Sequence, residues 1–244
     1  MKNILEMNKE EVLSLRVEDM RRALTADEVV HMAAVLGAFW SYDYDAAKRQ
    51  KFGMHAILKS GLHSDGFFIS RILLEPDNIR LIIANQIVMK LREVKIEQPD
   101  YVAGVPDGAT ILGQDIAGIL GAQCATMQKI NGRIVLGTQL YDRDKILLVE
   151  DFCTRGTGFK EAVVRVKESR PGAKILPYNP VIINRGGLKK IDEAAIGTFT
   201  IIPVVEWRIQ DWDAKTCQLC ALGSTPIKPK ETDENWRAIT TSQL

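Results

Sequence analysis

The stretch Ile146-Leu147-Leu148-Val149-Glu150-Asp151-Phe152-Cys153-Thr154-Arg155-Gly156-Thr157-Gly158 decides how this chain is read. Four apolar residues form a buried strand. Two acids follow, then a short loop of hydroxyl and glycine residues. Beyond it Ala162, Val163 and Val166 recur at helical spacing. A parallel strand that ends this way exposes its last side chains at the sheet edge without disturbing the core. The glycines let successive backbone N–H groups converge. Those amides, the hydroxyls of Thr154 and Thr157 and the start of the next helix can together hold a phosphate. Glu150 and Asp151 offer acceptors for a pair of ribose hydroxyls. Neither the triphosphate loop G-x-x-x-x-G-K-[ST] nor the dinucleotide pattern G-x-G-x-x-G occurs here, so the pattern favours a phosphorylated sugar.

This stretch closely resembles the phosphoribosyl-pyrophosphate (PRPP) signature of the type I phosphoribosyltransferases. The resemblance implies that Glu150 and Asp151 bind the ribose 2- and 3-hydroxyls. It also implies that the loop Thr154, Arg155, Gly156, Thr157 and Gly158 takes the 5-phosphate. A second stretch, Leu58-Lys59-Ser60-Gly61-Leu62-His63-Ser64-Asp65-Gly66-Phe67-Phe68, reads from its residues as strand, turn, turn and strand, with Asp65-Gly66 the firmer turn. Adjacent Phe67 and Phe68 then point to opposite faces, one into the core and one offering a flat surface to a heterocycle. The stretch resembles the substrate hood of the orotate phosphoribosyltransferases, roughly L-K-S-G-x-H-S-x-x-F-F. By that resemblance Lys59 helps hold orotate and the diphosphate, and Phe67 or Phe68 stacks near the base. His63 reads as a loop-ordering residue.

Two further strand ends fit the same scheme. Tyr101 to Val105 is a buried strand that runs into Pro106-Asp107-Gly108-Ala109-Thr110 and a helix from Ile111 to Leu120. The family loop here wraps the pyrophosphate, which implicates Asp107 and Gly108, although an acid beside a diphosphate is unexpected unless it reaches a metal through water. The segment from Lys174 to Ile183 is a strand broken by Pro177 and Pro180, ending at Asn184-Arg185-Gly186-Gly187. Orotate enzymes carry an Asp-Arg pair there, whose arginine meets the orotate carboxylate. Asn184 departs from that pattern while Arg185 keeps the planar fork suited to a carboxylate. The largest departure lies after Lys129. Family members have a long mobile loop with lysine and histidine that closes over the diphosphate. This chain has Lys129 at a strand end, Arg133 nearby, no histidine and a shorter loop.

The implied fold is α/β, a parallel-sheet type I phosphoribosyltransferase fold with a small hood subdomain. The chain divides into a helical extension over residues 1–50, a transferase domain over 51–212 with its hood at 51–75, and a C-terminal extension over 213–244. Within the first, Thr25-Ala26-Asp27-Glu28 reads as a capping box; within the second, residues 77–93 read as an amphipathic helix. The last strand, Thr198 to Val205, leads into a short helix, and the tail from Gly223 reads as an exposed extension. In that tail Cys217-Gln218-Leu219-Cys220 supplies only two ligands where zinc takes four. Cys124 and Cys153 lie in other elements, which leaves zinc shared across a dimer as the alternative. No protein metal ligand is assigned.

The implied activity is orotate phosphoribosyl transfer from PRPP, giving orotidine 5-monophosphate and pyrophosphate. Mg²⁺ is expected, held mainly by PRPP, with Glu150, Asp151 and Lys129 the catalytic candidates. The alternatives are a phosphoribosyltransferase for another base and a non-catalytic PRPP-binding regulator. A homodimer follows from the family alone. With 244 residues, 46% of them hydrophobic, the chain can bury a full core, and a net charge of +1 gives no bulk attraction to nucleic acid or membrane. No apolar run approaches the ~20 residues that span a bilayer. Four cysteines in a chain of this length suit a reduced compartment, here the cytoplasm.

Overall fold

In the computed structural model, which describes residues 3–244, the chain forms two compact units. The larger comprises residues up to Met32 together with Leu73–Arg208; the smaller comprises Ala33–Ile72 and Ile209–Leu244.

The larger unit is built on a mostly parallel sheet. From one edge its order is Lys190–Glu193, Gly197–Glu206, Tyr178–Asn184, Lys145–Cys153, Tyr101–Gly104 and Gln123–Cys124, with Lys174–Ile175 also paired to Lys145–Cys153. Only Lys190–Glu193 runs antiparallel to its neighbour in this sheet. The sequence explains the central position of Lys145–Cys153. Ile146, Leu147, Leu148 and Val149 are all fully buried, so both faces of the strand are covered. Ile146 and Leu148 share a cluster with Phe159, Ala162, Val163 and Val166 of the helix Thr157–Ser169. The helix Asp77–Glu93 buries Ile79, Ile82, Ile83, Ile87 and Leu91, each worth about 1.5–3 kcal/mol relative to exposure. Its neighbour Thr110–Leu120 follows the strand Tyr101–Gly104. Gly104 and Gly113 permit that close packing: a Cβ on Gly113 would lie 2.3 Å from the Gly104 nitrogen.

The capping box forms as read. Thr25 Oγ1 accepts from the Glu28 amide at 3.2 Å, and Glu28 Oε2 accepts from the Thr25 amide at 2.9 Å. His31 Nε2 lies 2.8 Å from the Met7 carbonyl, a packing contact. Pro177 separates two strands, but Pro180 lies inside Tyr178–Asn184, where the recorded ladder to Lys145–Cys153 begins only at Val181.

The smaller unit changes the division expected from sequence. Phe39–Ser41 pairs with Gly66–Phe68, so part of the supposed N-terminal extension belongs with the hood. A second sheet orders Asp211–Trp212, His63–Ser64, Met54–Ile57 and Thr225–Ile227. The short helix expected after Val205 is absent; the strand continues to Glu206, and Asp211–Trp212 pairs with His63–Ser64. Nor is the tail a loose extension. Thr225–Ile227 adds in parallel to Met54–Ile57, and the helix Asp233–Thr241 buries Ile239. Main-chain pairing and apolar contacts therefore hold the C-terminal residues in the unit, although their composition is polar. Among the described residues no helix is long and apolar enough to cross a membrane.

Candidate active site

The sheet order creates a switch point. The chain leaves Tyr101–Gly104 toward Gln123–Cys124 on one side, then returns to Lys145–Cys153 on the other. In open α/β sheets the crevice at the carboxyl ends of two such strands is the preferred ligand site. The two loops there are Val105–Ala109 and Glu150–Gly158. The Val105 amide donates to the Val149 carbonyl at 2.7 Å, and a Cβ on Gly158 would meet Val105 Cγ1 at 3.7 Å. A third loop, beginning at Arg185, joins them. The amides of Arg185 and Gly186 donate to the Cys153 carbonyl at 2.8 and 3.3 Å, and Gly186 packs so closely that a Cβ would lie 1.9 Å from the Thr154 carbonyl oxygen. Three segments distant in sequence thus converge on one sheet edge.

The two acids sit in different surroundings. Alternation along an extended strand sends Glu150 and Asp151 to opposite faces. Glu150, 8% exposed, accepts from Asn179 Nδ2 at 3.3 Å and from the Phe159 amide of the following helix. Burial raises its carboxyl to about pKa 8, and the nearby Asp151 charge adds to the shift. Asp151 is half-buried, and its Oδ1 accepts from the Phe152 amide at 2.8 Å. The two acids thus differ in exposure, Glu150 being buried against the following helix and Asp151 half-buried.

Beyond them Gly156 takes φ +66° and starts the helix Thr157–Ser169 with no side-chain cap. It is enclosed as well as left-handed, since a Cβ would lie 2.3 Å from Ile191 Cδ1. Arg155 and Thr157 are exposed, and Thr154 and Gly158 are half-buried. Cys153 is buried, its thiol pushed up to about 12, chiefly by burial and then by Glu150. It is no candidate nucleophile.

On the neighbouring loop Asp107 is exposed and Gly108 half-buried, after a cis Pro106-Asp107 peptide. Arg185 is 9% exposed at its strand end, and Asn184 turns its Nδ2 to the Leu188 carbonyl at 2.8 Å, ordering the loop that carries Arg185. The segment after Lys129 is not a loop but a tight hairpin. Met127–Ile130 pairs with Arg133–Leu136 across Asn131 and Gly132, at φ +50° and +78°. Asn-Gly between apolar segments is the strongest short-range signal for such a turn, and it was available in the sequence. The register pairs Lys129 with Ile134 and Ile130 with Arg133. Lys129 and Arg133 therefore project from opposite faces of the ribbon, not side by side.

The remaining candidates lie in the smaller unit. Lys59 is exposed in the turn between Met54–Ile57 and His63–Ser64. Phe67 and Phe68 are both buried, at 8% and 2% exposure. Phe68 stacks on Phe39 at 4.2 Å between centroids, and Phe67 lies 6.3 Å from Trp236. Neither offers the flat free face expected from alternation, because partners cover both sides of their strand.

No family model matches the chain. It is 28% identical over 209 residues to the orotate phosphoribosyltransferase of Acidithiobacillus ferrooxidans, covering 84% of this chain and 97% of that one. It is 27% identical over 177 residues to the orotate phosphoribosyltransferase of Carboxydothermus hydrogenoformans, covering 72% and 88%. Among solved structures, orotate phosphoribosyltransferase from Aeropyrum pernix superposes with a TM-score of 0.51 at 16% identity, over 66% of this chain and 92% of that one. Leishmania donovani UMP synthase gives 0.51 at 19%, over 84% of this chain and 41% of its own. The fold is that of the type I phosphoribosyltransferases, as the sequence signature implied.

Proposed function

We propose that this chain, which is similar to orotate phosphoribosyltransferases, transfers the 5-phosphoribosyl group from PRPP to orotate, releasing orotidine 5-monophosphate and pyrophosphate. One observation carries the reading: the Glu150–Gly158 signature stands at the switch point of the parallel sheet, with the 105–109 and 185–187 loops against it.

The chemistry needs placement and charge neutralisation rather than a protein nucleophile. As diphosphate leaves, positive charge develops on the sugar ring and the orotate nitrogen attacks. The amides of Thr157 and Gly158 at the uncapped helix start, with Thr154 and Arg155, are assigned to the 5-phosphate. Asp151 is assigned to the ribose hydroxyls, while Glu150 braces the loop from beneath. The 106–109 backbone and one of Lys129 and Arg133 are assigned to the diphosphate. Arg185 is assigned to the orotate carboxylate, a pairing that a neutral base would not offer. Phe67 and Phe68 become packing residues of the hood.

Mg²⁺ belongs to this reading as an ion carried by PRPP. Asp107 is exposed and Asp151 half-buried on neighbouring loops, and they supply the oxygen atoms such a hard cation takes, directly or through water. When bound, the ion would neutralise diphosphate charge. A homodimer and a cytoplasmic setting are part of the same proposal, the latter supported by four free thiols.

The test is pyrophosphate release from PRPP and Mg²⁺ with orotate, uracil, hypoxanthine or adenine. Release with orotate alone is expected, and Arg185→Ala should raise the KM for orotate while leaving PRPP binding in place. Release with another base moves the chain to that base; PRPP binding without release from any base leaves a binding protein.

A further inference from the structure

We propose that the smaller unit binds a structural zinc ion through His55, His63, Cys217 and Cys220. The donors come from three places in the chain. His55 lies in the strand Met54–Ile57, His63 in His63–Ser64, and the cysteines flank the start of the helix Gln218–Leu222. One ligand atom from each lies within 4.8 Å of every other.

The spacing has the dimensions of a tetrahedral centre. Zinc–nitrogen bonds near 2.05 Å and zinc–sulfur bonds near 2.3 Å place ligand atoms roughly 3.3 Å apart for N···N, 3.6 Å for N···S and 3.8 Å for S···S. Here His55 Nε2 lies 2.9 Å from His63 Nδ1 and 3.6 and 3.5 Å from the Cys217 and Cys220 sulfurs, and Cys220 Sγ lies 3.3 Å from His63 Nδ1. These separations are those of neighbouring ligands on one ion, and no disulfide ties up either cysteine.

The surroundings match the chemistry. His55, His63 and Cys217 are buried and Cys220 is half-buried. The other nitrogen of His55, Nδ1, lies 2.9 Å from Ser224 Oγ, a contact that fixes the ring with Nε2 toward the cluster. The Cys220 amide donates to Cys217 Sγ at 3.5 Å, which stabilises a thiolate there. Two thiolates and two neutral imidazoles around a divalent ion carry no net charge, as a buried site requires. Two sulfur and two nitrogen donors select zinc over magnesium or calcium, and four protein ligands leave no open coordination position. The ion would staple the hairpin that bears Lys59 to the C-terminal segment, in a unit whose small core benefits from such a link.

The test is the metal content of untagged protein purified without chelator. One zinc per chain is expected, released by a thiol-specific mercurial and detected with a chromogenic chelator. Cobalt-substituted protein should show the visible bands of a tetrahedral ion with thiolate charge transfer. Cys217→Ser and His55→Ala should reduce zinc to background, and Cys124→Ser should leave it unchanged. Should the first two variants fail to fold, wild-type stoichiometry, mercurial release and the cobalt spectrum still decide the matter. Metal-free wild-type protein, iron in place of zinc, or octahedral cobalt would overturn the proposal. None of these readouts depends on turnover.

Discussion

Gly186→Ala tests whether the convergence of the three loops matters for catalysis. A Cβ at this position would lie 1.9 Å from the Thr154 carbonyl oxygen, and the two next nearest atoms, the carbonyl carbon and Cα of Thr154, are also backbone. Ordinary contact requires at least 3.4 Å, so the loops must separate by roughly 1.5 Å. No rotamer change can absorb this, because the obstacle is the main chain of the proposed phosphate loop. Overpacking of this kind costs about 1–3 kcal/mol in stability. A misplacement of about 1 Å at a reacting centre costs on the order of a hundredfold in rate. Steady-state pyrophosphate release and thermal melting should therefore show kcat/KM for PRPP reduced about a hundredfold in protein that remains folded at the assay temperature. Gly187→Ala is the control. Its φ is +65° but no neighbour lies within 4 Å, so it adds about 1–2 kcal/mol of backbone strain without pushing on Thr154. If Gly186→Ala keeps kcat/KM within about threefold of the parent, or loses no more than Gly187→Ala, the 185–187 loop does not position the phosphate loop.

Two predictions concern stability against pH. Glu150 has a folded pKa near 8, above its ordinary 4.5, so the native state holds a proton that the unfolded chain releases. The associated stability is full below pH 4.5 and declines as pH rises toward 8; urea melts should show Glu150→Gln flattening that slope, and an unchanged slope would remove Glu150 as its source. Glu28 behaves in the opposite sense. Its hydrogen bond with Arg22 comes first among the causes that lower its carboxyl from 4.5 to about 2, so its contribution is present above pH 4.5 and lost as pH falls toward 2. Glu28→Ala should cost about 1 kcal/mol near neutral pH, since Arg22 is largely exposed and screened, and should weaken the acid limb of the stability profile; an unaltered acid limb would refute the assignment.

The features legible in the sequence were those carried by neighbouring residues. Four hydrophobes before Glu150-Asp151 and small residues after them specify strand, loop and helix because burial, backbone freedom and helical periodicity act over a few positions. The same holds for Asp77–Glu93, for the Thr25–Glu28 box and for the Asn131-Gly132 turn, whose dipeptide between apolar segments is a local hairpin signal. Tertiary structure decided what depends on proximity between distant positions. Phe67 and Phe68 lost their expected free face because Phe39 and Trp236 cover them. The polar tail joined the smaller unit because Thr225–Ile227 found an open strand edge at Met54–Ile57. Cys217 and Cys220 offered half a coordination shell in sequence, and folding supplied His55 and His63. Gly186 could be recognised as required only once the Thr154 carbonyl lay against it. Local propensity reaches about one turn of chain, whereas a packed contact or a metal shell is defined by which surfaces the fold brings together.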